Sequence, residues 1–266
     1  MRRCSEGDSA VKPVFDAYSS YYDLLYQDKD YAAEAAYVLS AIRAHKPDAD
    51  QVLELGCGTG AHAIALAKQG IFVTGIDQSQ SMLARARRRL DGESPAIRSR
   101  VQIAQGDLRS IRTGKRYDAV ISLFHVISYQ TSDRDLTMAF ETAAQHLLPG
   151  GVFAFDFWYG PAVLAQQPEV RVRRLSDAGS SVTRIAEPEL RSREHIVDVN
   201  YSLFIEEKAS GVISRLHETH SMRYLFLPEL RVLAGNWFEP LETRAWLSGD
   251  RPDATTWSAF MTMGRR

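Results

Sequence analysis

The chain has 266 residues, 45% of them hydrophobic, and a formal net charge of -1. That length and apolar content suit one α/β domain enlarged by an insertion, and the balanced charge excludes the basic footprint of a nucleic-acid binder. No stretch reaches the ~18 uncharged apolar residues of a membrane helix, and Met1-Arg2-Arg3 has no apolar run after it to form a signal peptide. Cys4 and Cys57 have no metal-ligand spacing, so a reduced, cytoplasmic protein is expected.

In chain order, residues 15–46 read as helical, with Phe15, Tyr18, Tyr21, Tyr22, Leu25 and Tyr26 forming an aromatic stripe near helical spacing. A buried strand at 51–55 leads into the turn Gly56-Cys57-Gly58-Thr59-Gly60, and an alanine-rich helix follows, capped by Gly70. A second strand, 71–76, ends at Asp77; Ser79 then caps a helix over 81–90. Further strands are expected at 101–104, with Asp107 just beyond, at 117–123 and at 152–157. The helix between the last two spans 133–148 and stops at Pro149-Gly150-Gly151. Strands alternating with helices imply parallel βαβ units and a doubly wound sheet. From 168 to 227 the pattern turns to antiparallel strands, then a helix at 227–236 and strands at 241–247 and 256–263 close the chain. The middle therefore reads as a β cap, 161–227, inserted over the sheet's carboxyl edge, with 1–160 and 228–266 as the core.

The glycine turn lets a ligand approach the backbone beside a helix N-terminus. Read as Gly56-x-Gly58-x-x-Ala61 it also fits a dinucleotide fingerprint. Asp77, closing the second strand, can accept both hydroxyls of a ribose, and Asp107 can take an adenine amino group. Either an NAD-type or another adenosine cofactor satisfies these features.

The segments Val52 to Gly60, Gly75-Ile-Asp-Gln-Ser79 with Ser81-Met82-Leu83, Gly106-Asp107-Leu108, Tyr117-Asp118-Ala119-Val120 and Leu147-Leu-Pro-Gly-Gly151 resemble the class I S-adenosylmethionine-dependent methyltransferases. The resemblance implies a Rossmann-like, seven-stranded sheet and S-adenosylmethionine as cofactor. It sets Glu54 behind the glycine loop of Gly56, Cys57, Gly58 and Gly60, Asp77 on the ribose, and Asp107 on the adenine. Gln78 and Leu108 then border the adenine ring, Met82 belongs to the same pocket, and Phe124 and His125 border the methyl group. The stretch from Tyr18 to Tyr26 is similar to an aromatic lid, with Tyr18 at the methionine end.

A closer likeness, to nucleotide-sugar N-methyltransferases of the 3-amino-sugar type, lies in Tyr22-Asp23-Leu24, Lys29-Asp30-Tyr31, Phe157-Trp158-Tyr159 and the insertion ending near His217-Glu-Thr-His220. It implies a nucleotide-sugar acceptor near Tyr22, Trp158 and Tyr159, with Tyr129 at a polar position facing the sugar.

His125, Tyr129 and Asp156 lie past strands four and five and are the candidates for acceptor chemistry, His125 with the best-placed unperturbed pKa for a base. Arg171 and Arg173 alternate onto one strand face and can meet a diphosphate. His217 and His220, oddly spaced, face opposite sides of a strand, so no metal site is expected and both read as structural, as does His195. The run Arg85, Arg87, Arg88 and Arg89 reads as an exposed helix face. No Tyr-x-x-x-Lys pair supports an oxidoreductase, while an O-methyltransferase and a non-catalytic cofactor-binding module stay open, as does a homodimer. The expected partner is a small molecule, without nucleic acid or membrane.

Overall fold

The computed structural model describes residues 19–266, and of residues 19 and 20 the backbone only. Two helices come first, α1 (Ser19–Leu25) and α2 (Tyr31–Arg43). The single helix expected over 15–46 is broken because Asp30 caps α2, its carboxylate accepting from the Ala33 N–H at 2.9 Å. A cap side chain competes with continued helix for those backbone donors.

The core elements follow as β1 (Gln51–Leu55), α3 (Ala61–Lys68), β2 (Phe72–Asp77), α4 (Gln80–Asp91), the short α5 (Pro95–Arg98), β3 (Val101–Gln105) and β4 (Tyr117–Ser122). A 3-10 turn (Val126–Tyr129), α6 (Asp133–His146), β5 (Leu147–Tyr159) and α7 (Gly160–Gln166) lead into the insertion. The insertion is a meander of β6 (Arg171–Ser176), β7 (Ser180–Arg191), β8 (Ile196–Glu207) and β9 (Ile213–Leu225). The chain ends with α8 (Leu227–Ala234), β10 (Phe238–Ala245) and β11 (Ser258–Arg265).

The parallel strands stand in the order β3-β2-β1-β4-β5, and β11 and β10 complete the edge antiparallel to their neighbours. Helices cover both faces. One apolar cluster joins Phe140 of α6, Phe153 and Phe155 of β5 and Leu230 of α8; the other joins Val38 and Ile42 of α2 to Leu66 of α3 and Ile121 of β4. Every residue of β4 is buried, as a central parallel strand requires. The chain reverses its winding between β1 and β4, and the carboxyl ends of these strands open a crevice.

Two expectations change. β5 starts at Leu147, five residues before the predicted 152, because Leu147 pairs with Tyr117 and the Pro149-Gly150-Gly151 turn is absorbed as an irregularity in the ladder. At its other end β5 runs to Tyr159, beyond the expected 157, so Asp156 lies within the strand and not at its end. The insertion expected over the carboxyl edge also joins the sheet by strand pairing. Beyond Ser122 the β4 strand ends, and β9 takes over pairing with β5, Trp158 with Tyr224 and Tyr159 with Leu225, so the meander extends the sheet. Helix α1 packs against it through Tyr22, Leu25, Val182, Leu203 and Ile205, and Arg85 and Arg89 tie α4 to Asp23 at 3.6 and 2.5 Å rather than facing water alone.

Candidate active site

A cavity of about 400 Å³ sits over the crevice, within the usual ~300–1,000 Å³ of small-molecule sites. Its cofactor-like half is built by the glycine loop. Gly56, Gly58 and Gly60 have φ of 81°, 52° and 72°, a region that side chains rarely adopt. At Gly56 a Cβ would also stand 2.5 Å from the Val126 side chain, whereas at Gly58 the nearest atom to a Cβ is 4.0 Å away. The loop thus leaves backbone open to a ligand.

Asp77 does more than line this half. Its Oδ2 accepts from the Gly58 N–H and its Oδ1 from the Ser79 N–H, both at 2.8 Å. Burial pushes its carboxyl above the ordinary value against these donors. Cys57, Gln78, Met82, Leu108 and Phe124 line the cavity. Burial pushes the Cys57 thiol well up, which makes it an unreactive packing group. Glu54 sits behind the loop, 1% exposed. Burial first, and the Asp77 charge second, push its carboxyl to about 8, and its Oε2 has no hydrogen-bond partner among the described residues.

Asp107 lines the cavity, but Arg109 grips it: the guanidinium Nε lies 2.9 and 3.0 Å from its two oxygens and the Arg109 backbone N–H 2.9 Å from Oδ1. This grip holds the carboxyl below its usual range. Asp107 therefore presents an acid paired with Arg109 to the cavity rather than a lone acid. Sequence reasoning did not identify Arg109.

The acceptor-like half begins after β4. Phe124 and His125 both have left-handed φ, 64° and 63°, a strain that persists where the surroundings impose it. Here Asp156 imposes it. Its carboxylate accepts from the His125 backbone N–H at 3.1 and 3.2 Å and lies 2.6 Å from the ring Nδ1. Asp156 is 1% exposed and does not line the cavity. Burial raises its carboxyl, but the opposing His125 ring outweighs this and holds it below the ordinary value. Asp156, expected at a substrate hydroxyl or ammonium, instead lies beneath His125 and holds that residue through its backbone N–H.

Tyr129 lines the same half, its hydroxyl 2.8 Å from His220 Nδ1. His220, expected as structural, lines the cavity, while His217 turns to Ser202 at 3.4 Å. Tyr22 and Trp158 line the cavity; Tyr159 does not, packing against the β5 core cluster. Arg171 and Arg173 are also absent from the lining. They sit on β6, the strand of the meander farthest from β5, and Arg173 instead bonds the Leu25 carbonyl at 3.1 Å and pairs with Asp28 at 3.3 Å. Tyr18 lies outside the described residues.

Tyr26, from the expected lid stretch, lines the site, and so do Tyr31 and His62, which sequence reasoning did not place there. His62 bonds buried Glu34 at 2.7 Å, and Glu34 also pairs with Lys29. The signal available was the likeness around Lys29-Asp30-Tyr31. No group of metal-binding side chains forms among the described residues.

Residues 52–151 match the family described as a methyltransferase domain. The chain is 33% identical over 182 residues, 68% of each chain, to a dTDP-3-amino-3,6-dideoxy-alpha-D-glucopyranose N,N-dimethyltransferase of Streptomyces fradiae. It is 35% identical over 150 residues to a dTDP-3-amino-3,4,6-trideoxy-alpha-D-glucopyranose N,N-dimethyltransferase of Streptomyces venezuelae, a match spanning 56% of this chain and 60% of that relative. Among solved structures, S-adenosylmethionine-bound CalS10, an amino pentose methyltransferase from Micromonospora echinaspora, is 25% identical with a TM-score of 0.73, covering 97% of this chain and 100% of that one. The sugar N-methyltransferase KedS8 from Streptoalloteichus has the same fold, with 21% identity and a TM-score of 0.77, covering 100% and 98%.

The chain belongs to the S-adenosylmethionine-dependent methyltransferases, which sets aside the oxidoreductase reading. The open backbone at Gly58 and the Asp77 carboxylate fit an adenosyl cofactor. No helix of the described residues is long and apolar enough to cross a membrane.

Proposed function

We propose that the chain transfers a methyl group to an amino group of a nucleotide-linked sugar. One observation carries this reading: a single cavity is walled on one side by the glycine loop and Asp77 and on the other by His125, Tyr129, Trp158 and Tyr201. The named relatives supply the acceptor class. When bound, S-adenosylmethionine supplies an electrophilic methyl group. Asp77 and the glycine loop hold the adenosyl part, with Glu54 behind them, and the Asp107–Arg109 pair borders the adenine. Residues 161–227 act as the acceptor cap through β8 and β9 rather than through Arg171 and Arg173. Holding nitrogen and methyl in line supplies most of the rate, and His125 accepts an N–H and receives the proton that the product ammonium sheds. A cytoplasmic setting goes with metabolites of this kind and with the free Cys57.

A second reading, transfer to a sugar hydroxyl, is favoured by one feature, since a His held by a buried Asp is also the arrangement of a general base. Kinetics of His125→Asn on a panel of nucleotide amino sugars and their hydroxyl analogues separate the two. Amine transfer predicts a kcat loss below about tenfold and a surviving alkaline rise as the substrate ammonium titrates. Loss of about 10²–10⁴, with the rise abolished, supports the hydroxyl reading.

A further inference from the structure

Helix α6 contributes no residue to the cavity wall among the described residues. Its side chains Asp135, Thr142 and His146 nevertheless fall within about 40° of one another around the helix at 3.6 residues per turn, and all three reach the loop after β3 that carries Asp107 and Arg109. Asp135 Oδ1 accepts from Arg109 Nη1 at 3.0 Å, so the guanidinium that grips Asp107 is itself held from behind. The Thr142 hydroxyl donates to the Arg109 carbonyl at 3.0 Å and accepts from Arg112 Nη1 at 3.0 Å.

His146 fixes the end of the same loop. Its Nε2 lies 3.0 Å from the Thr113 backbone nitrogen and its Nδ1 2.7 Å from the Thr142 carbonyl oxygen. A backbone N–H only donates and a carbonyl only accepts, so Nε2 is the acceptor and Nδ1 carries the hydrogen. Burial, working against the Thr142 carbonyl and with Arg112 and Arg116, holds the ring below its ordinary pKa, in keeping with this neutral form. Thr142 is fully buried and His146 is 2% exposed. Leu108 and Ile111 already pack the loop on the β5 core cluster, but apolar packing is non-directional. The hydrogen bonds add direction, at the Arg109 main chain and side chain together. Arg109 occupies one edge of the Asp107 carboxylate, so the place where Arg109 stands decides which lone pairs of Asp107 remain for a ligand.

We propose that Asp135, Thr142 and His146 are positioning residues that aim the Asp107–Arg109 pair at the adenine amino group, so that α6 sets the base selectivity of the cofactor site from outside the cavity. The inference rests on the adenine reading of Asp107 given above. A carboxylate accepts from an amino group and has nothing to donate to an oxygen in its place, and that difference is what the positioning preserves.

The test compares S-adenosylhomocysteine with S-inosylhomocysteine, which carries an oxygen where adenine has its amino group. Calorimetry on the full chain gives both Kd values, and thermal unfolding is followed in parallel. The wild type should prefer the adenosyl ligand about 10- to 150-fold, and Asp107→Asn should lose most of that preference. Asp135→Asn, Thr142→Val and His146→Leu should each narrow it about 2- to 10-fold, through weaker binding of the adenosyl ligand. His146→Gln, whose amide can accept from Thr113 and donate to Thr142, should keep most of it. An unchanged preference in the three α6 variants, or equal weakening of both ligands, overturns the inference and leaves Asp107 on the adenine. No preference in the wild type, or a full preference in Asp107→Asn, removes the adenine reading and the inference together. Should His146→Leu unfold, Thr142→Val and Asp135→Asn carry the decision.

Discussion

Replacing Asp77 with Ala removes two things at once. The carboxylate proposed to hold the ribose disappears, and so does the acceptor of the Gly58 and Ser79 N–H groups, each held at 2.8 Å. A hydrogen bond to a charged group contributes about 1.5–3 kcal/mol. One such loss in binding corresponds to a Kd for S-adenosylhomocysteine raised about 10- to 150-fold. Because Gly58 belongs to the glycine loop, the free protein should also lose about 1–3 kcal/mol from a donor left without its acceptor. Isothermal titration calorimetry reads the first effect and chemical denaturation the second. Asp77→Asn keeps one carbonyl oxygen and should fall between wild type and Ala on both scales. An unchanged Kd in Asp77→Ala would refute the assignment of Asp77 to the cofactor, and lost stability with unchanged Kd would leave it only the loop-holding role.

Gly56→Ala meets both a left-handed φ of 81° and the Val126 side chain at 2.5 Å, so it should lose about 1–3 kcal/mol of stability; adding Val126→Ala should recover only part in a denaturation series. Glu54 predicts a pH dependence. Its folded carboxyl is raised from 4.5 to about 8, so the folded state holds a proton that the unfolded state releases. Its stabilising share is complete below pH 4.5 and is lost as pH rises towards 8. Melting temperatures of Glu54→Gln should therefore gain on wild type across that interval, and a constant offset would contradict the burial of a protonated acid. Arg171→Ala and Arg173→Ala, both off the cavity wall, should leave the acceptor KM unchanged in steady-state kinetics; a raised KM would return the diphosphate role to β6.

The parts read correctly from sequence are those in which neighbours along the chain make the feature. The glycine turn, Asp77 at the end of β2, and the alternation of strands and helices are of this kind, because each depends on periodicity or on a turn with few solutions. What stayed hidden depends on pairing between distant segments. His220 reads as a structural histidine until β9 sets it against Tyr129. Asp156 reads as a strand-end acid until pairing with β11, and then with β9, shows that β5 continues through it to Tyr159. The alternation argument for Arg171 and Arg173 concerns their own strand, but nothing local says that β6 is the far strand of the meander and β9 the near one. The expected helix broke before Asp30, whose cap bond starts α2, and helical periodicity within each piece does not register such a break.

The central claim is that the methyl group arrives on a sugar nitrogen. Incubation of the wild-type chain with methyl-¹³C-labelled S-adenosylmethionine and a dTDP-amino sugar, followed by carbon–proton correlation NMR of the product, tests it most directly. The account predicts a labelled N-methyl resonance coupled to the amino-bearing ring carbon, with S-adenosylhomocysteine formed in equal amount to the label transferred. A labelled O-methyl resonance, or cofactor binding with no transfer to any amino sugar, would contradict it.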